Sequence, residues 1–461
     1  MTPRLSGRES VIRARPRTIR TPKVELEVFR LPQETPRTLS FGTRARLLLS
    51  VVGPGIIAAN ADNDAGGIFG YSQAGAQYHY AMLWVLVLST VALGVAQEIG
   101  ARMAAVTGKG LADLIREEYG VKITLFAMVT LLVANFATTV SEFAGMLAAL
   151  QLHPAINDHP WTRFILLPLI AVGVWLLIAR GSYRKLERVL LWASLIYLLY
   201  IVSAVLAHPN WGQVMHQTFR PEFHHIGPIN LYVFMIINVV GTTLTPWGQF
   251  YIQSSVRDKG VKAHEYRLLK ADVLFGAFFT NFIAFFIIVV CGATLYNHGV
   301  RNLEDAHQAC QALVPLAGRF AATLFAIGLF NASCFGAITV PLSTAYSVTE
   351  ALGWESGVGR RIKEAPLFVG VFTLLIIAGA TVVMFFPGKL GYLMILPNIV
   401  GGVLLPIILV LTLLIVNKRR LMGKFVNSPF YNLIAWATTI VLILLSLILL
   451  VTTIFPSLSG T

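Results

Sequence analysis

Charged residues are scarce in this sequence: Asp, Glu, Lys and Arg make up 13% of its 461 residues, against about 25% in typical soluble domains. Hydrophobic residues make up 56%, and they occur in runs long enough to cross a bilayer core of about 30 Å. A soluble globular protein is therefore excluded, and we expect a polytopic helical membrane protein. A phosphate-binding loop is also lacking, since Gly108-Lys109-Gly110 does not have the full spacing of that motif. This argues against an ATP-driven pump.

Cysteine is nearly absent. The three cysteines, Cys291, Cys310 and Cys334, are widely spaced and odd in number, so they predict neither a disulfide framework nor a paired-cysteine metal site. The N-terminal segment has no early apolar core, so we expect no cleavable signal peptide. Residues 1–44 are rich in Arg, Pro and Thr and predict a disordered basic tail. The tail either serves topology alone or contacts the anionic cytoplasmic leaflet.

Apolar segments predict eleven membrane spans. With the N-terminus in the cytoplasm, 31 of the 36 Lys and Arg residues fall on the inner side, which is a strong positive-inside bias. The net charge of +14 is therefore explained by topology and does not indicate nucleic-acid binding. Eleven spans place the C-terminus outside. The predicted spans are 46–72, 80–106, 122–150, 162–180, 187–207, 229–256, 271–296, 313–352, 366–386, 390–416 and 429–455.

The polar stretch Asn60-Ala61-Asp62-Asn63-Asp64-Ala65-Gly66-Gly67 lies inside the first predicted span. A charged side chain at bilayer depth costs roughly 2.5–3.5 kcal/mol on insertion scales, so two carboxylates there indicate a function. The adjacent glycines weaken the helix and free backbone carbonyls, which is tolerated at that depth only where the backbone lines a cavity or packs against protein. The stretch predicts a broken helix that forms an ion site.

The sixth predicted span contains a second break, Gly241-Thr242-Thr243-Leu244-Thr245-Pro246-Trp247-Gly248. Proline removes an amide donor and clashes with the preceding turn. Spans one and six correspond in a five-plus-five division of the first ten spans, and matching interruptions in two halves point to a transporter site. Because five is odd, the two halves are predicted to be inverted repeats. We place them at 45–210 and 225–416, followed by 417–461 with the eleventh span.

Several motifs resemble the Nramp (natural-resistance-associated macrophage protein) family of metal transporters. Gly53-Pro54-Gly55 is followed after 17 residues by Gln73-Ala74-Gly75-Ala76-Gln77, and Val106-Thr107-Gly108-Lys109 and 421–427 are also similar to family motifs. The resemblance covers roughly 42–455. It implies an all-α integral membrane protein with a LeuT-like fold: two inverted five-helix repeats plus an eleventh helix, with spans 1 and 6 interrupted. It also implies divalent cation transport by alternating access, with no enzymatic activity and no cofactor.

The resemblance assigns metal-binding positions at both breaks. The family motif Asp-Pro-Gly-Asn falls on Asp64-Ala65-Gly66-Gly67, so the aspartate ligand is kept and the asparagine ligand becomes Gly67. The motif Ala-x-x-Met-Pro-His falls on 242–247, so the methionine ligand becomes Thr245 and the histidine becomes Trp247. In this comparison Thr242 contributes its backbone carbonyl.

Two further positions follow from the same resemblance. A family glutamine of span ten aligns with Asn398, and the family's Asp-x-x-Glu of span three keeps only its glutamate, Glu142. Structural roles remain open beside these: the Thr245 hydroxyl bonding back to a carbonyl one turn earlier, or Asn398 forming an interhelical hydrogen bond. The candidate metal-site residues are Asp64, Thr245, Thr242, Asn398 and Gly67. The candidate permeation-path or supporting residues are Asp62, Asn63, Glu142 and Trp247.

The chemistry of the changed positions suggests which ion is carried. A thioether suits soft or borderline metals, whereas carboxylate, hydroxyl and carbonyl oxygens suit Mg²⁺. Mg²⁺ also keeps several of its waters, and Gly67 is expected to leave room for water. We therefore expect Mg²⁺ first and Mn²⁺ second, in a pattern that resembles the Nramp-related magnesium transporter branch. Because Trp247 cannot titrate, we expect uniport without proton coupling.

Two other functions remain open from the sequence. One is a proton-coupled Mn²⁺ or Fe²⁺ transporter, and the other is an organic-solute transporter of the same fold. A receptor or scaffold without transport is disfavoured, because costly buried polar groups need a reason. We further expect a monomer in the lipid bilayer of the plasma membrane.

Overall fold

The computed structural model describes residues 53–221, 228–304, 306–358, 360, 362–386 and 390–454. Within these ranges the protein is entirely helical and contains no β-strand. The predicted disordered tail at 1–44, the start of the first span and both chain termini lie outside the described residues. The tail, the orientation of the termini and the exact repeat boundaries stay predictions.

The helices follow the predicted order of membrane spans. The first span is α1 (Pro54–Ala61) and α2 (Ala65–Tyr78), and the sixth is α9 (Ile229–Thr243) and α10 (Pro246–Lys259). Ten helices of the described chain are long and apolar enough to cross a membrane. The halves of the first span are individually too short, so this span crosses only as a broken pair. The remaining α-helices of eight or more residues are α3 (Leu83–Thr107), α4 (Leu111–Leu150), α5 (Arg163–Ala179), α6 (Tyr183–Ile196), α7 (Leu199–Leu206), α8 (Trp211–Phe219), α11 (Tyr266–Cys291), α12 (Ala306–Leu352), α13 (Pro366–Phe385), α14 (Leu390–Val416) and α15 (Pro429–Ile454).

The third and eighth spans differ from the prediction in the same way. Helix α4 begins at Leu111 instead of 122, and α12 begins at Ala306 instead of 313. Each carries a short extra helix that meets the span at a glycine with a positive φ, Gly120 (φ 76°) and Gly318 (φ 85°). Such a conformation strains any residue with a Cβ. Matching kinks in spans three and eight support the five-plus-five division.

Close packing between α1 and α11 positions the first break. The Asp272 carboxylate accepts hydrogen bonds from the amides of Gly53 (3.1 Å) and Gly55 (2.7 Å) at the start of α1. A Cβ on Gly55 would lie 2.6 Å from Val273 Cα, so only glycine permits this approach. Helix α1 is therefore held at its first turn, and its last turn leads directly into the polar break.

Candidate metal centre

The two breaks restart their helices with the same capping geometry. The Asp64 carboxylate accepts a hydrogen bond from the Gly67 amide at 2.7 Å, and the Thr245 hydroxyl accepts one from the Gly248 amide at 3.1 Å. Asp and Thr are favoured N-caps because a side-chain oxygen satisfies an amide that has no helical partner. Pro246 follows as the first helical residue of α10, where its missing amide costs nothing. The sequence predicted both interruptions, and the structure confirms them.

The second carboxylate joins the breaks to each other. Asp62 is 1% exposed. One of its oxygens accepts a hydrogen bond from the Thr245 hydroxyl at 2.7 Å, and the other accepts one from the Gln97 amide of α3 at 3.2 Å. The Thr245 hydroxyl therefore links α10 to the break in span one, instead of donating to a carbonyl one turn earlier. Gln97 was not singled out from the sequence.

Asp64 lines a small cavity between the breaks. The cavity has room for about one water-sized sphere, roughly 10 Å³. Four residues predicted from the sequence meet here: Asp64, Thr245, Trp247 and Asn398. Helix α4 contributes two that the sequence analysis missed, Asn135 and Thr138. Their spacing could have identified them, because Asn135 and Thr138 lie on the same helix face as Glu142.

Asn398 connects α14 to both halves of the protein. Its amide nitrogen donates to the Gly66 carbonyl at 3.0 Å and to the Asn238 side-chain oxygen at 3.2 Å. A Cβ on Gly66 would lie 2.5 Å from the Met394 carbonyl, so α2 and α14 approach closely at this point. The interhelical hydrogen bonds considered from the sequence are present, and they hold the carboxamide at the edge of the cavity.

The space beside Gly67 differs from the expectation. A Cβ on Gly67 would lie 2.5 Å from the Thr242 hydroxyl and 2.9 Å from the Asp62 carbonyl. The prediction that Gly67 leaves room for water is therefore wrong, because the Thr242 side chain fills that space. The resemblance explains the exchange, since the family has asparagine and alanine where this chain has Gly67 and Thr242. Compared with the family, the smaller side chain is in the first break here and the larger one is in the second break.

Glu142 supports the start of α2. One carboxylate oxygen accepts a hydrogen bond from the Ala65 amide at 3.1 Å, while the other is buried and has no hydrogen-bond partner among the described residues. On α12, Ser343 donates to the carbonyl of Trp247 at 2.9 Å. Trp247 is 2% exposed and forms part of the cavity wall.

Asn63 points away from the cavity. Its side chain donates to the Thr280 carbonyl of α11 at 3.0 Å. The Tyr197 hydroxyl, between α6 and α7, donates to the carbonyls of Asn60 (3.2 Å) and Asn63 (3.1 Å). The freed carbonyls of the first break are therefore partly satisfied by a tyrosine that the sequence did not indicate.

Nowhere in the described part of the chain do three or more His, Cys, Asp or Glu side chains form a group that could hold a metal ion. A cation at the breaks would thus have to use hydroxyl, carboxamide and backbone oxygens beside a carboxylate. Such a donor set is hard and free of sulfur.

Comparison with known proteins decides the family. The Nramp family profile, described as natural resistance-associated macrophage protein-like, matches residues 55–452. The chain belongs to the Nramp family. This Nramp protein is 25% identical over 410 residues to the divalent metal cation transporter MntH of Deinococcus radiodurans, covering 87% of this chain and 89% of that one. It is also 25% identical to the MntH protein of Latilactobacillus sakei, covering 89% and 90%.

The fold of this Nramp protein is similar to that of solved transporters. The manganese transporter of Eremococcus coleocola, in complex with an aromatic bis-isothiourea compound, superposes with a TM-score of 0.70 at 19% identity, covering 90% of this chain and 88% of that one. MhsT in complex with L-phenylalanine gives a TM-score of 0.57 at 14% identity, covering 89% and 98%. The predicted LeuT-like architecture is confirmed. The protein is a divalent metal cation transporter of the Nramp type and not an enzyme, and the metal is its substrate.

Proposed function

We propose that this Nramp transporter carries a hard, partly hydrated divalent cation, Mg²⁺ first and Mn²⁺ second, by alternating access at the two helix breaks. The observation that carries the proposal is the oxygen-rich lining of the cavity: the Asp64 carboxylate, the Thr245 hydroxyl and the Asn398 carboxamide, with Asn135 and Thr138 opposite. Oxygen ligands suit Mg²⁺, and methionine or cysteine sulfur would favour softer metals. The sulfur ligand that the family places in span six is here a hydroxyl.

The ligands are shared unequally between the breaks in this proposal. Asp64 supplies the charge, and Asn398 supplies its carboxamide oxygen because its nitrogen is held by Gly66 and Asn238. Thr245 and the backbone carbonyl of Thr242 complete the side of span six, and Gly67 provides its backbone. Mg²⁺ usually keeps several waters, which a cavity with room for one water does not accommodate. Binding therefore requires the breaks to separate, as alternating access would do.

Transport is proposed to be uniport. Trp247 and Thr139 stand where the resemblance places a histidine and an aspartate, and neither side chain titrates in the physiological range. Glu142 is the acid that remains, and one of its oxygens is held by the Ala65 amide. Moving two charges inward gains about 2 × 2.3 kcal/mol per 100 mV of membrane potential, which drives accumulation without protons. The N-terminus is proposed to face the cytoplasm and the C-terminus the outside, in a monomer.

A transition-metal transporter is the second candidate. The MntH relatives are named for divalent metal cations, and carboxylate and water ligands also suit Mn²⁺. An organic solute is disfavoured, because the cavity has room for about one water and two buried carboxylates repel an anion.

Isothermal titration of the purified protein with Mg²⁺, Mn²⁺ and Cd²⁺ tests the metal preference. We expect Mg²⁺ and Mn²⁺ to bind and Asp64→Ala to abolish their tightest binding. The control is Glu117→Ala, which removes a carboxylate from an exposed ion pair with Lys109 and should leave binding unchanged. Binding of Cd²⁺ alone would overturn the hard-ion proposal.

Proteoliposomes with a pH-sensitive dye inside test the coupling. Metal uptake is expected without acidification of the lumen. Acidification in proportion to the metal carried would show proton coupling and favour the second candidate.

A further inference from the structure

One buried face of α10 is lined with polar side chains. Thr245, Gln249 and Gln253 are spaced four residues apart, so they lie above one another along the helix, and all three are buried. At one end Thr245 donates to Asp62 (2.7 Å). At the other end Gln253 donates to the Lys109 carbonyl (3.0 Å), in the loop that follows α3. Gln249 lies between these contacts, on the face that packs against α3.

Helix α3 supplies the opposite wall. Gln97 donates to Asp62 at 3.2 Å, and Gly100, one turn further on, packs against α10, where a Cβ would lie 3.6 Å from the Gln249 carbonyl. The small residue at 100 lets the two helices approach beside the glutamines. Gln97 therefore contacts the Asp62 carboxylate directly, and Gln249 lies one helical turn beyond Thr245, the other residue bound to Asp62.

The glutamines between α3 and α10 are poorly satisfied. Among the described residues, the side-chain oxygens of Gln97, Gln249 and Gln253 and the nitrogen of Gln249 are buried without a hydrogen-bond partner. Gln97, Gln249 and Gln253 are at most 1% exposed. Unsatisfied buried polar groups are costly and call for an explanation such as an ion or water site. Leucine or methionine would fill the same space without this cost.

Asp62 itself has no cationic partner. It is held by the Thr245 hydroxyl and the Gln97 amide, and no Lys or Arg of the described chain forms an ion pair with it. Buried charges are ordinarily paired or bound to a metal. A carboxylate beside a buried carboxamide offers the hard oxygen ligands that Mg²⁺ and Ca²⁺ prefer.

We propose that Asp62, Gln97 and Gln249 form a second cation-binding position, through which a hydrated divalent ion passes after it leaves the Asp64 cavity. This inference rests on the proposed function, since it needs an ion that binds at the breaks. The ion reaches Asp62 when α1 and α10 separate and the Thr245 hydroxyl releases the carboxylate. Gln97 and Gln249 then replace waters of its hydration shell.

Near the far end of the glutamine face, the carboxylate of Glu350 forms an ion pair with Arg257. Ser254, next to Gln253, donates to Glu350 at 2.7 Å, and the Arg257 guanidinium pairs with the same carboxylate oxygen at 2.7 Å. Arg257 also approaches Asp258 (3.3 Å) and Asp113 (3.7 Å). The path from Asp62 therefore ends at acidic side chains that attract a cation once Arg257 moves away.

Replacing one glutamine with leucine tests the second position. In the full-length protein, Gln249→Leu and Gln97→Leu remove the carboxamide oxygen and leave the Asp64 cavity intact. We expect Mg²⁺ titration to lose its weaker binding phase and uptake into proteoliposomes to fall about tenfold, a size typical of lost metal contacts. The stronger binding phase at Asp64 should stay within about twofold.

Asn281→Leu is the control, because Asn281 on α11 is also a buried amide with an unpartnered oxygen, and its nitrogen donates within its own helix, to the Ala277 carbonyl at 3.1 Å. It should leave both binding phases and uptake unchanged. If Gln249→Leu does not fold, Gln249→Glu replaces it, and the added carboxylate should tighten the weaker phase.

The outcomes separate this inference from the proposed function. Absence of Mg²⁺ binding to the unaltered protein would overturn the proposed function. Binding that Asp64→Ala abolishes, but that Gln97→Leu and the Gln249 variants leave unchanged together with uptake, would overturn the second position alone.

Discussion

The two helix breaks share a backbone design and differ in charge. In each, a side chain caps the restarted helix by accepting the amide three residues later, Asp64 from Gly67 and Thr245 from Gly248. Asp and Thr are both favoured N-caps, so capping alone does not require a carboxylate at one break and a hydroxyl at the other. Asp64 brings a negative charge to the cavity and Thr245 brings a neutral oxygen. In the proposed site, the break in span one therefore supplies the negative charge that attracts the cation. The break in span six supplies a neutral oxygen ligand.

The helices behind the breaks repeat this contrast. Glu142 on α4 accepts from the Ala65 amide of α2, and Ser343 on α12 donates to the Trp247 carbonyl of α10. Helices α4 and α12 are the third and eighth spans, which correspond in the two halves. The halves are therefore similar in backbone and unequal in charge, with the acids gathered around the first break.

The largest expected effect comes from making the first break like the second. Asp64→Thr keeps an oxygen that caps Gly67, so the helix should restart normally. It removes the charge that faces the cavity, and Mg²⁺ affinity should fall about 100-fold or more. Titration measures the affinity, and a thermal unfolding curve close to that of the unaltered protein shows that the cap survives. Affinity within threefold of the original would show that Asp64 does not bind the ion.

Restoring the family's asparagine in the first break should also be harmful. Gly67→Asn places a Cβ 2.5 Å from the Thr242 hydroxyl, and overpacking of this kind costs about 1–3 kcal/mol. Thr242→Ala in the same protein should recover 1 kcal/mol or more, because the two residues are in contact. A double-mutant cycle of thermal stability and uptake measures the coupling. Additive effects would contradict the inference that the side chains at positions 67 and 242 compete for the same space.

A softer metal ligand in the second break should change which metal binds. Thr245→Met introduces a thioether at the cavity, so Cd²⁺ affinity should rise about tenfold. The same change removes the cap of Gly248, at about 1 kcal/mol of stability, and the hydrogen bond to Asp62. Thr245→Ser keeps the hydroxyl and should keep the original metal preference. An unchanged Cd²⁺ affinity in Thr245→Met would mean that position 245 does not face the ion.

The sequence predicted what depends on local chemistry. Glycine, proline and polar residues inside apolar runs were enough to locate both breaks, and the spacing of apolar segments located the spans. Side chains that fill space across the protein could not be found this way. Thr242 fills the gap at Gly67, and Tyr197 binds the carbonyls of Asn60 and Asn63, through contacts between residues far apart in sequence.

The kinks of the third and eighth spans were missed for a different reason. At Gly318 the apolar pattern of 313–352 runs on while the backbone turns, whereas at Gly120 a charged segment, 111–119, precedes a span that was predicted to begin at 122. Isolated glycines are common inside membrane helices, and a positive φ leaves no trace in composition. Comparing the two halves position by position would have shown a glycine near the start of both spans.

The smallest expected effect concerns the acid behind the first break. In Glu142→Gln the side-chain oxygen can still accept the Ala65 hydrogen bond, so the start of α2 should be retained. If transport is uniport, Mg²⁺ uptake should change less than about threefold, because the variant removes neither a ligand nor a cap. The luminal pH should stay constant in both proteins. Ser343→Ala is the counterpart at the second break, and it should have an effect of similar size.

A proton flux that accompanies uptake in the unaltered protein and disappears in Glu142→Gln would instead make Glu142 a proton carrier. The charge of the first break would then serve proton coupling as well as attraction of the metal ion.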